Sequence, residues 1–162
     1  YFGGENMPAW YDFSINGVAR EVDAEHLATM VNSIETLIQH EIDLGIKSER
    51  IFIAGFSQGG ALAYETVLKN SFNLAGLLAM STYLPKPEHV SSSTLDLNFA
   101  MHVFHGTQDD VVPMSLGESS IEILQGKGFN PHVSRYQMAH TVCLEQLDDI
   151  SQFLNETLAD KS

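Results

Sequence analysis

From Asp23 to about Leu44, the apolar residues Leu27, Val31, Ile34, Ile38 and Ile42 recur at spacings of three and four. That is the period of one helical face, so the spacing predicts a helix here. Asp23 is placed to cap its start and Gly45 to stop it. Residues 51 to 55 form a short unbroken apolar run, as expected for a strand covered on both faces. The same alternation then repeats. A helix is expected from Gln58 to about Asn70, a strand over Leu74 to Met80, and another over Phe99 to His105. A helix over Leu116 to Lys127, a strand over His132 to Tyr136 and a helix over Thr141 to Leu158 follow. Residues 1 to 20 read as irregular, with Gly3-Gly4, Pro8 and Asn16-Gly17 as turn signals. Residues 85 to 97, with Pro85, Pro87 and three consecutive serines, read as a longer surface loop. Strands alternating with helices imply parallel pairing, hence an α/β fold with a mostly parallel sheet and helices on both faces.

Composition narrows this picture without changing it. The 162 residues suit one domain over 1–162. Hydrophobic residues make up 44% and charged residues 18%, ordinary for a chain with a packed core. No apolar run reaches the length of a membrane span, so no integral membrane contact is expected. A formal net charge of −13 repels phosphate backbones and argues against nucleic-acid binding. Cys143 is the only cysteine, which excludes an internal disulfide and fits a reducing, cytoplasmic setting.

The chemistry gathers around GFSQGG, residues 55 to 60. Gly55, Ser57 and Gly59 match the G-x-S-x-G turn, and they stand where a buried strand hands over to a helix. A tight turn of this kind lifts the serine above the sheet. It brings the residues two before and two after it together, where only glycine avoids a clash. The following helix aims its N-terminus at the reacting oxygen, so the backbone N–H of Gln58 is a candidate oxyanion donor. A serine needs a base, and the base an orienting group. In this kind of fold the acid and then the histidine follow the serine along the chain. FHGTQDDVVP, residues 104 to 113, offers Asp109 or Asp110, and QMAHTV, residues 137 to 142, offers His140. Both segments follow strands, at the end of the sheet where ligands gather.

The other histidines fit less well. His26 and His40 fall on the polar side of the first helix, His89 lies in the polar loop, and His102 and His132 lie within strands. His105 ends a strand but stands too close to the acid in sequence to act as its partner. No histidine pair has metal-ligand spacing, so neither a metal nor an organic cofactor is expected. Cys143 follows His140 closely, but its place in an apolar helical pattern points to burial.

Five stretches together resemble the carboxylesterase and acyl-protein thioesterase family of α/β-hydrolases, in particular its small bacterial carboxylesterases. They are MPAWYDF (7 to 13), RIFIAGFSQGGALA (50 to 63), LLAMSTYLP (77 to 85), HGTQDDVVP (105 to 113) and MAHTVCLEQLDDI (138 to 150). The resemblance implies Ser57 as nucleophile, His140 as base and Asp109, ahead of Asp110, as acid. It also implies that Trp10 and Leu84 border an acyl pocket. Substrates across the family include short acyl esters, thioesters, lysophospholipids and acylated proteins.

The family also begins with strands that are not found before MPAWYDF, one of them ending in a loop that supplies the second oxyanion donor. The expectation is therefore a partial α/β-hydrolase domain belonging to a longer polypeptide. Taken alone, such a chain would be weakly active, or a homodimer covering the open sheet edge. The leading functional reading is a serine hydrolase of carboxylic esters or thioesters. The alternatives are a non-catalytic or weakly active truncated module that binds a ligand or a partner, and lactone opening by the same triad.

Overall fold

In the computed structural model, residues 13–16, 19–69 and 71–159 are described. The first element is a hairpin: β1 (Phe13–Asn16) pairs antiparallel with β2 (Ala19–Val22), Phe13 opposite Val22 and Asn16 opposite Ala19. This segment was expected to be irregular. Strands of four residues are too short to show alternation, yet the Asn16-Gly17 turn signal is the kind that joins two such strands.

The long helix α1 (Ala24–Asp43) begins where Asp23 accepts hydrogen bonds from the backbone N–H groups of Glu25 and His26, at 3.0 and 2.9 Å. Those bonds, that of His26 foremost, hold the Asp23 carboxyl below its ordinary range. The helix ends at Gly45, whose φ of +97° lies in the left-handed region that glycine tolerates. A single 3-10 turn (Ser48–Arg50) then leads into the sheet.

Four strands, β3 (Phe52–Phe56), β4 (Gly76–Met80), β5 (Met101–Gly106) and β6 (His132–Tyr136), lie side by side in chain order, all parallel. Their crossovers carry α2 (Gln58–Lys69), α3 (Glu88–Ser92) and α4 (Met114–Lys127), and α5 (Leu144–Ala159) follows the last strand. The period-two alternation of each strand divides the core. Leu77 and Ala79 of β4 and Met101 and Val103 of β5 pack with Ile38 of α1, Val67 and Leu68 of α2, Val90 of α3 and Leu124 of α4. On the opposite side, Leu78, Phe104 and Tyr136 pack with Ile150, Phe153 and Leu154 of α5. Leu77, Ala79 and Phe104 have no exposure at all. Removing a side chain as large as Leu77 or Phe104 from water stabilises by about 1.5–3 kcal/mol.

Helix α2 is buried from Gly60 through Leu68 because the sheet, α1 and α3 close around it. This explains an unusual feature, the fully buried Glu65. Its Oε1 accepts from Lys69 Nζ at 2.9 Å and contacts His89 Nδ1 at 2.6 Å. His89 belongs to α3, a short helix inside the stretch expected to be loop. Its turn is fastened further by Ser93 Oγ donating to Leu68 O and Lys127 Nζ donating to Ser91 O, both at 2.8 Å. No helix among the described residues is long and apolar enough to cross a membrane.

Candidate active site

The parallel register puts the carboxyl ends of β3, β5 and β6 along one rim. At the end of β3 the chain turns through Ser57, whose φ of +55° is rare for a residue with a side chain. Such strain costs of order 1–3 kcal/mol and persists only where the surroundings enforce it. Here they do. Ser57 N–H donates to Met80 O at 2.9 Å, and Ser57 O accepts from Thr82 Oγ1 at 2.6 Å and from Gly60 and Ala61 N–H. A Cβ on Gly55 would lie 2.2 Å from Gly59 O, so the close approach expected of the turn is present. A Cβ on Gly60 would lie 2.6 Å from Thr82 Cγ2. The second glycine of the doublet therefore makes room for the threonine that grips the turn. Ser81, at the end of β4, is the other non-glycine residue with positive φ (47°) among the described residues.

The acid segment follows β5. Asp109 Oδ1 accepts from Val111 and Val112 N–H at 3.0 and 2.8 Å, which ties the carboxylate to its own loop. Its Oδ2 accepts from His140 Nδ1 at 2.7 Å, and the carboxylate has no solvent exposure. The neighbouring Asp110 is exposed, so the structure brings Asp109 and not Asp110 to the imidazole. His140 reaches it from the turn after β6, where Thr141 N–H donates to Ala139 O. Gly106 lets this turn close in, since a Cβ there would fall 2.3 Å from Met138 O. His140 Nε2 stands 3.0 Å from Ser57 Oγ. Because a carboxylate can only accept, Nδ1 carries a proton, and Nε2 is left to accept from the serine hydroxyl.

Gln58 is the first residue of α2, beside Ser57. Leu84 is 5% exposed within the main core, its N–H donating to Ser120 Oγ. Trp10 lies outside the described residues. His26 and His40 are exposed on α1, as expected. Sequence reasoning missed Thr82, for which the Gly59-Gly60 doublet was the available signal. It also missed the part played by His105, set aside for its closeness to Asp109. Buried to 2% exposure, His105 donates from Nε2 to Val112 O at 2.9 Å and so braces the loop that holds the carboxylate. Gly117 gives it space, as a Cβ there would lie 2.5 Å from His105 Nδ1. No group of three or more His, Cys, Asp or Glu side chains among the described residues is arranged to hold a metal ion.

The sequence profile of the phospholipase/carboxylesterase family matches residues 2–158. The chain belongs to this family. It is 39% identical to acyl-protein thioesterase 1 of Neurospora crassa, over 98% of this chain and 70% of that protein. It is 32% identical to acyl-protein thioesterase 1 of Saccharomyces cerevisiae, over 97% of this chain and 72% of the relative. Among solved structures, Arabidopsis thaliana SOBER1 superposes with a TM-score of 0.83 at 24% identity, covering 93% of this chain and 74% of that one. Zea mays acyl-protein thioesterase 2 superposes with a TM-score of 0.74 at 20% identity, covering 93% and 72%. These two likenesses speak to fold alone, and the fold is that of the α/β-hydrolases. As a member of the family the chain is a hydrolase, a serine hydrolase of carboxylic ester or thioester bonds.

Proposed function

We propose that this hydrolase works through Ser57 as nucleophile, His140 as base and Asp109 as the orienting carboxylate, on S-acylated protein. The observation that carries the reading is the unbroken line from Asp109 Oδ2 through the imidazole to Ser57 Oγ, with steps of 2.7 and 3.0 Å. His140 Nε2 takes the hydroxyl proton as Ser57 Oγ attacks the acyl carbonyl. Asp109 holds the tautomer and stabilises the imidazolium that forms. The developing oxyanion meets the backbone N–H of Gln58 at the start of α2, where the helix end favours negative charge. As the intermediate collapses, His140 returns the proton to the leaving thiolate or alkoxide. Water activated by the same imidazole then cleaves the acyl-enzyme.

The names of the relatives, acyl-protein thioesterases, support the choice of an acylated protein over a lysophospholipid or a short ester. Trp10 and Leu84 would border the acyl pocket; Leu84 is buried. The lone Cys143 supports a reducing, cytoplasmic setting.

A fluorophosphonate probe tests the triad. The folded protein is expected to label at Ser57, to lose labelling in Ser57→Ala and to label slowly in His140→Ala; a folded sample that does not label refutes the reading. Substrate class is tested by kcat/KM for an S-palmitoylated peptide, palmitoyl lysophosphatidylcholine and p-nitrophenyl acetate. A higher value for the lysophospholipid than for the peptide overturns the choice of acylated protein.

A further inference from the structure

We propose that Phe56 is a positioning residue for His140, bracing the imidazole through their tilted ring contact and favouring the imidazolium that forms during acyl transfer. This rests on the triad reading above. The ring centroids of Phe56 and His140 lie 4.6 Å apart with the planes inclined at 44°. Both hydrogen bonds of His140, to Asp109 at Nδ1 and to Ser57 at Nε2, are made by ring nitrogens, whose N–H and lone pair point outward in the plane of the ring. They set the distances along the line but restrain its tilt only weakly. A ring packed beside the imidazole at this distance supplies the missing restraint.

Phe56 is well placed to do so. It is the last residue of β3, paired in register with Met80, and the next residue is Ser57 itself. The nucleophile and the brace for its base therefore share one stretch of backbone, held by the Ser57 N–H bond to Met80 O.

The same contact discriminates between the states of the reaction. An aromatic face attracts a cation within about 6 Å of its centroid and does little for a neutral ring. His140 becomes a cation only as Ser57 or water attacks, so the attraction acts on the transition state more than on bound substrate. An interaction of that kind raises kcat and leaves KM nearly unchanged. His140 is 15% exposed in its side chain and Asp109 not at all, which limits screening of the contact by water.

The test replaces Phe56 in the whole chain with 4-fluoro-, 3,5-difluoro- and 3,4,5-trifluorophenylalanine. These keep the ring's shape while draining negative charge from its face. Hydrolysis of p-nitrophenyl acetate is expected to slow stepwise with each fluorine. The loss in kcat should reach roughly 3- to 30-fold for the trifluoro ring, the span from an exposed to a desolvated cation–aromatic contact. KM and the thermal midpoint should stay near those of the natural chain. A series in which kcat does not change with fluorination overturns the proposal, since packing alone is insensitive to the charge on the face. Ser57→Ala, assayed alongside, separates the two layers. If it retains hydrolysis, the triad reading fails and the role of Phe56 with it; if it is inactive while the fluorinated series is flat, only the role of Phe56 fails.

Discussion

Two buried carboxylates in this molecule each meet a histidine at nearly the same distance: Asp109 and His140 at 2.7 Å, Glu65 and His89 at 2.6 Å. Neither carboxylate side chain is exposed. The pair alone therefore does not make a site. What differs is the rest of each line. Asp109 has one oxygen occupied by two loop amides, and its histidine continues to Ser57 at the rim of the sheet. Glu65 sits in the middle of α2, shares Oε1 between His89 and Lys69, and its histidine reaches a half-exposed helix on the outer side. One pair aims an imidazole at a strained serine; the other pins a connecting segment to the core. Position at the carboxyl ends of the strands, not acid–base chemistry as such, separates them.

The largest expected effect comes from breaking the first line at its end. Ser57→Ala should lower kcat by roughly 10⁴- to 10⁶-fold, as losses of a triad serine do, with an unchanged unfolding midpoint. Steady-state hydrolysis together with thermal melting checks both halves. Asp109→Asn keeps the shape but inverts the demand on His140 Nδ1, and kcat should fall by about 10³- to 10⁴-fold. The matching change at the second pair should do the reverse. Glu65→Ala is expected to cost about 2–3 kcal/mol of stability, less than the 3–5 typical when a buried partner is orphaned, because Lys69 and His89 can both turn to water. Its rate per folded molecule should stay within about threefold of the natural chain. An inactive but stable Glu65→Ala protein would abolish the distinction drawn between the pairs.

A smaller effect concerns a histidine with no carboxylate on either ring nitrogen. His102 is 4% exposed, bonded through Nε2 to Ser134 Oγ and stacked on Phe104 at 3.8 Å between centroids. Burial, helped by the neighbouring His132 and opposed by Asp149, pushes it down to about 4. Between that value and the ordinary 6.5, the unfolded chain takes up a proton that the folded chain refuses. Its contribution to stability is thus complete above pH 6.5 and is lost as the pH falls toward 4. Urea midpoints measured across that window should fall with pH, and His102→Gln should flatten the fall. Parallel curves for the two proteins would show that other groups carry the dependence.

Much of the scaffold was readable from local pattern. The strand His132–Tyr136 has the bounds that the alternation of elements indicated, and α1 is capped by Asp23 and closed at Gly45 as the end signals indicated. These features are legible because spacing and capping are decided within a few residues. The errors lie where tertiary contacts compete with local preference. The hairpin of β1 and β2 was taken as irregular, and α3 as loop although Glu65 and Leu68 of α2 hold it. Helix α5 was expected from Thr141 but begins at Leu144, because residues 139–141 fold as the turn that presents His140.

The sequence by itself determined the alternation of elements, the strained serine turn with its glycines, and the segments from which an acid and a base would come. Spacing along a chain carries that information, since a tight turn and an amphipathic face are short-range matters. Only the tertiary structure decided that the Phe56 ring comes within 4.6 Å of the imidazole, and that Thr82 and His105 hold the two loops in place. The first two depend on residues 25 or more positions apart, and the third on a loop that folds back over 7 positions onto a buried histidine. Distance and burial set them, and neither exists until the strands have paired.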